Sequence, residues 1–261
     1  MTAELGEPQP SSRGKGEDFL TTVHDSRTLM LKDLVTLVDA LVGEIVTPDR
    51  AREAVVTDNV LGKKTHRTRQ KSFQYLQRLY SLDEHQAPGQ LFFRLFRVHQ
   101  AAQGQLAALQ VLSVDRLFQA TLATLLSFEE NQPVEAAMFV APVRGTGAEY
   151  RDITLESCTR NLISSWSQAG WLTARLKKRR LRVDPLPESV AFALYLGYQE
   201  GRRGLRLMNS RYMEAFSSSP ETLDELAYQA SRLGYLSYRR IADVLEIHFP
   251  HLGQRATESH E

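Results

Sequence analysis

Six cations crowd the eight positions from Arg175 to Arg182: Arg175, Lys177, Lys178, Arg179, Arg180 and Arg182, with no acid before Asp184. Positive charge at this density suits phosphate oxygens. A second set, Lys63, Lys64, Arg67, Arg69 and Lys71, crowds the expected start of a helix, with Thr65 and Thr68 placed to bond phosphate oxygens. A helix start already carries free N–H groups and partial positive charge, so cations there are unfavourable and suggest that an anion is expected. Each run alone reads equally as a solvated basic stretch. Two of them in one chain favour nucleic acid.

Between these runs lies a helix that could read base edges. Leu155, Cys158, Leu162, Ile163 and Trp166 recur at steps of three and four and share one apolar face. Gly170 then supplies the left-handed residue that commonly ends a helix. Arg160, Asn161, Ser164 and Gln168 are the candidates for base contact, Arg toward guanine and Asn or Gln toward adenine. Asn161 and Gln168 are two turns apart and share a face. Trp166 reads as core rather than as a base-stacking platform.

Other chemistry finds little support. Of the seven histidines, none pairs with a carboxylate in the pattern of a metalloprotease helix. His248 and His251 stand three apart in a stretch that reads as strand and terminus. No GxxxxGK[ST] loop occurs, and Gly145-Thr146-Gly147 is too short to serve as one. Asp243 and Glu246 beside Arg239 and Arg240 lack the further groups a metal-dependent nuclease needs. Ser164, Ser165 and Ser167 are nucleophiles without a base that the sequence places near them. Cys158 is the sole cysteine, which excludes an internal disulfide and a cysteine-based metal cluster. The expectation is no catalytic residue, no metal and no cofactor.

The elements that must position these groups are mostly helical. Leu31 to Val42 carry a helical stripe, and Thr47-Pro48 and Ser219-Pro220 read as N-caps followed by proline at the first helical position. Residues from Pro88 to about Leu126 read as strongly helical core material, and Pro133 is expected to open a short helix through Phe139. Leu245, Ile247 and Phe249 alternate with Glu246 and His248, which favours a strand. The fold class expected is mainly α, with helix-turn-helix or winged-helix-like elements and a short C-terminal strand or hairpin. The expected organisation is a polar tail over 1–24, an N-terminal helical domain over 25–130, a winged-helix-like domain over 131–252, and a polar tail over 253–261.

The composition is that of an ordinary soluble protein of 261 residues, 42% hydrophobic and 24% charged, with a net charge of +1. The charge is unevenly spread. Residues 59–82 and 154–183 each carry +6, which leaves a net −11 for the rest. No apolar run approaches the ~18 residues a bilayer span needs, and the start lacks the apolar stretch of a secretory leader. A cytoplasmic protein without a membrane partner is expected.

Two stretches carry a family resemblance. Asp58-Asn59-Val60-Leu61-Gly62-Lys63-Lys64-Thr65, followed by Arg67-Thr68-Arg69 and a helix ending Leu79-Tyr80, resembles the middle of the BrxA-like proteins of bacteriophage-exclusion (BREX) systems. Arg160-Asn161, Ser164-Ser165-Trp166-Ser167-Gln168 and Gly170 resemble the later helix-turn segment of that family. The resemblance covers roughly residues 30 to 250. It implies a mostly helical, non-enzymatic protein that binds double-stranded DNA and works with other components of a phage-defence complex. Two other readings stand beside it: an interaction subunit whose basic patches dock an acidic protein, and an RNA-binding helical bundle.

Overall fold

Two helices are buried on every side over most of their length, and the chain is wrapped around them. In the computed structural model, which describes residues 22–242 and 244–249, α5 (Gln103–Val114) is buried without interruption from Gln105 to Leu112. A later helix, Pro187–Gln199, is buried from Glu188 to Gly197. Helices with so few polar side chains, here Gln105, Gln110, Glu188 and Ser189 within the buried stretches, lie inside. The first three helices are α1 (Leu31–Ala40), α2 (Pro48–Arg52, continued by a π-helical turn) and α3 (His66–Tyr80). Then come α4 (Ala87–Val98), α6 (Arg116–Leu126), α7 (Val140–Gly145) and α8 (Asp152–Ala169). The late buried helix is α9, followed by α10 (Arg211–Glu214) and α11 (Pro220–Arg232). Helix α5 packs against α1, α3, α4, α6, α8 and α9. One continuous apolar core runs from Val23 to Ile247 and joins both halves of the chain, with Phe92 and Phe192 in ring contact at 5.5 Å.

Local chemistry explains the helix ends. Thr47 and Ser219 each accept a hydrogen bond from the backbone N–H three residues on, at 3.2 Å, ahead of a proline at the first helical position. Gly170, at φ 97°, closes α8 in the left-handed region. The expected helical run from Pro88 to Leu126 is three helices, broken at His99 and at Asp115. Asp115 causes the second break by capping α6, its Oδ1 accepting from Phe118 N at 3.0 Å.

Two small pieces of sheet complete the fold. Ser237–Ile241 (β1) and Val244–His248 (β2) form an antiparallel hairpin with Tyr238 opposite Ile247, and Leu245 and Ile247 turn inward as their alternation predicts. The second piece surrounds the cationic run. Residues 178–181 pair on one side with 171–173, through Thr173 N to Arg179 O at 3.0 Å and Leu181 N to Trp171 O at 2.9 Å. On the other side they pair with 131–134, through Arg180 N to Gln132 O at 2.9 Å and Val134 N to Lys178 O at 3.0 Å. Pro133 therefore sits in an extended edge segment rather than opening a helix, and the helical turn begins at Ala136. Proline is tolerated there because its neighbours carry the pairing. The order α6, edge segment, α7, α8, hairpin is that of a winged helix, with 174–177 as the wing tip.

The expected tail over 1–24 lies outside the described residues except for its last three. Of these, Val23 and His24 are fully buried.

Candidate nucleic-acid interface

The eleven basic residues of the two runs divide into six that are tied down and five that have no partner among the described residues. In the wing, Arg180 is 4% exposed and its guanidinium donates to Leu181 O, to Trp171 O at 3.5 Å and to Ser217 Oγ at 3.4 Å. Burial pulls its pKa below the usual guanidinium value. It braces the hairpin rather than facing outward. Arg179 donates to Asn131 O at 2.6 Å, Lys178 to Ser167 Oγ at 3.0 Å, and Arg182 stands 3.4 Å from Asp184. Arg175 and Lys177, at the tip, are exposed and have no hydrogen-bond or ion-pair partner among the described residues.

The α3 start divides the same way. Lys63 Nζ donates to both oxygens of Asp33, at 2.8 and 3.0 Å. Arg69 reaches back to Lys63 O at 3.3 Å and Val56 O at 3.4 Å. Lys64, Arg67 and Lys71 are exposed without such partners among the described residues. Thr65 caps α3, its Oγ1 accepting from Thr68 N at 3.2 Å, and no acid occupies the first turn to offset the helix dipole.

The last turn of α8 lies between the two runs. Ser167 receives Lys178, while Gln168 borders a recess shared with Lys63 and Thr68. This turn is held in place by close packing, since a Cβ at Gly104 of α5 would stand 2.9 Å from Ala169 O.

The residues expected to read bases are placed differently. Asn161 and Gln168 do share a face, but that face meets residues 24–31: Asn161 Nδ2 donates to His24 O at 3.1 Å, and Gln168 Oε1 accepts from Leu31 N at 3.2 Å. Arg160 is exposed beside Glu156 at 3.6 Å. The open side of the first half of α8 carries Asp152 and Glu156 as well as Ile153, which is 83% exposed. Acids there repel phosphates. Trp166 is core, stacked on Phe118 at 4.0 Å with its Nε1 donating to Thr121 Oγ1 at 2.9 Å. Cys158 is buried too, and burial pushes its thiol up to about 11.

The structure also assembles a constellation that spacing concealed. Ser165 Oγ lies 2.9 Å from His24 Nε2, and His24 Nδ1 lies 3.1 Å from Asp115 Oδ2. Serine, histidine and aspartate in this order form the working contacts of many acyl-transfer sites. Here all three are sealed at 0% exposure. The serine hydroxyl is spent, donating to Asn161 O at 2.7 Å and accepting from Leu29 N at 2.8 Å. Asp115 accepts from Val23 N at 2.7 Å. Burial pushes its carboxyl up, yet the His24 ring and these hydrogen bonds together hold it below the usual carboxylate value. The trio locks residues 23–29 onto α6 and α8.

Among the described residues, no group of three His, Cys, Asp or Glu side chains is placed to hold a metal ion, and no helix is long and apolar enough to cross a membrane. Compared with known proteins, the chain matches no family model and no curated relative.

Proposed function

We propose that the protein is a non-enzymatic DNA-binding component of a bacteriophage-exclusion type of defence system, gripping duplex phosphates with Arg175 and Lys177 at the wing tip and with Lys64, Arg67 and Lys71 at the start of α3. The observation that carries this reading is that five exposed cations, without partners among the described residues, belong to two basic runs that reach the last turn of α8 through Lys178 on one and Lys63 and Thr68 on the other. An unpaired exposed cation pays little to exchange its counterion for a phosphate, whereas a tied one must first break its own bonds. Affinity is then mainly electrostatic, with weak sequence preference. The resemblance to BrxA-like proteins supplies the defence context.

Duplex binding followed by fluorescence anisotropy across a salt series tests this reading, with single-stranded RNA as the control. Five phosphate contacts give a slope of log K against log salt of about −4.5. Flat or absent duplex binding overturns it. The second reading, docking of an acidic protein, then takes precedence, favoured by Leu176, which stands 99% exposed between Arg175 and Lys177. A bare apolar side chain with a cationic rim suits the anchoring of such a partner.

A further inference from the structure

A recess of about 400 Å³ opens between the start of α1 and the first two turns of α3. Three cations border it from three separate stretches of chain: Arg27 before α1, Lys32 in its first turn, and Lys63 before α3. One acid joins them, Asp33, held by Lys63 at 2.8 Å. The lining therefore carries a net +2. Arg27 and Lys32 have no carboxylate partner among the described residues, and the Arg27 guanidinium sits 5.3 Å over the ring of Tyr75.

Charge alone would not make this a site. Ser72 is the independent sign. Its side chain lines the recess, the residue is 5% exposed, and its hydroxyl has no hydrogen-bond partner among the described residues. A helical serine often returns its proton to the carbonyl one turn back, as Ser165 does to Asn161, whereas the Ser72 hydroxyl opens into the recess. Its donor is therefore placed to serve an acceptor that enters the recess. Thr68, one turn before Ser72 on α3, lines the same wall, and Gln168 closes the far side.

We propose that this recess binds a phosphate monoester, the terminal phosphate of a nucleotide or of a nucleic-acid end. A monoester carries about −1.5 to −2 near neutral pH, which the lining balances. A backbone diester carries a single charge and continues in both directions, so it suits an open track of cations better than a concave recess. Arg27 and Lys32 supply the charge, and Thr68 and Ser72 supply hydroxyl donors to the phosphate oxygens. The volume admits the sugar attached to the phosphate. The site does not depend on the wing, and a free nucleotide would fill it whether or not the protein holds duplex DNA.

Isothermal titration calorimetry of the full chain with adenosine 5′-monophosphate, inorganic phosphate and adenosine tests the assignment. The monophosphate and phosphate bind and adenosine does not. Ser72→Ala weakens the monophosphate by about tenfold, the scale of one hydrogen bond to a charged group, and Lys32→Glu abolishes binding. Thermal melting of both variants checks that they fold, and Arg175→Gln/Lys177→Gln leaves the monophosphate affinity unchanged. Equal behaviour of adenosine and its monophosphate, or unchanged binding by folded Ser72→Ala, overturns the proposal. Given monophosphate binding, its displacement by a 5′-phosphorylated duplex but not by the 5′-hydroxyl duplex assigns the site to DNA ends. Displacement by neither assigns it to a free nucleotide. Monophosphate binding without any duplex binding would sink the DNA-binding reading and leave this one standing.

Discussion

Helix α8 meets polar groups in two places, and the two have opposite fates. Near its middle, Ser165 faces His24 and Asp115 in a geometry that could support acyl transfer, yet every member is fully buried and already bonded. At its last turn, Ser167 accepts from Lys178 and Gln168 lines a recess bordered by cations, in no catalytic pattern, but that turn borders open surface. Reactive residue types at the right distances are therefore no guide to function without access. The buried place stabilises, and the open place is where a ligand can arrive.

The largest effect expected from breaking this contrast is at Asp115. Asp115→Ala strips the acceptor from the N–H groups of Val23 and Phe118 and removes the cap of α6, and should cost about 3–5 kcal/mol in urea unfolding. A loss below about 1 kcal/mol would show that residues 23–29 are not held by this trio. Acid should act at the same point. The folded-state pKa of Asp115 lies below its ordinary value of 3.8, so its stabilisation is present above that value. It is lost as pH falls through the depressed one. Urea midpoints should then drop below about pH 4 in the parent and drop less in Asp115→Ala.

A smaller effect sharpens the same comparison. Ser165→Ala leaves Leu29 N without its acceptor and should cost about 1–3 kcal/mol while duplex affinity of the folded protein stays unchanged. Weaker DNA binding by a fully folded Ser165→Ala protein would mean that the two ends of α8 are not separable.

The helices were readable in the sequence wherever local chemistry decides. Thr47-Pro48, Ser219-Pro220 and Gly170 mark helix ends through caps and a left-handed residue, all within a few positions. The alternation of Leu245 and Ile247 likewise marks β2. Long-range chemistry was not readable. His24 and Ser165 are 141 positions apart, and no spacing rule brings a residue from an expected tail onto the middle of α8. The basic runs were only half legible. Sequence counts Arg180 and Arg175 alike, but the carbonyls that claim Arg179 and Arg180 come from Asn131, Trp171 and Leu181, known only once the hairpin forms. The recess is hidden in the sequence because Arg27 and Lys32 stand near Asp25 and Asp33, which balance them along the chain.

If cations without partners grip the duplex and tied ones do not, a matched pair of variants in the hairpin separates the two. Arg175→Gln/Lys177→Gln and Arg179→Gln/Arg182→Gln remove the same charge from the same hairpin. Salt titrations of duplex binding should show the first flattening the slope by about 1.8, two phosphates' worth, and the second by less than about 0.5. Equal flattening in both, or a parent slope near −10 as if all eleven cations contributed, would contradict the account.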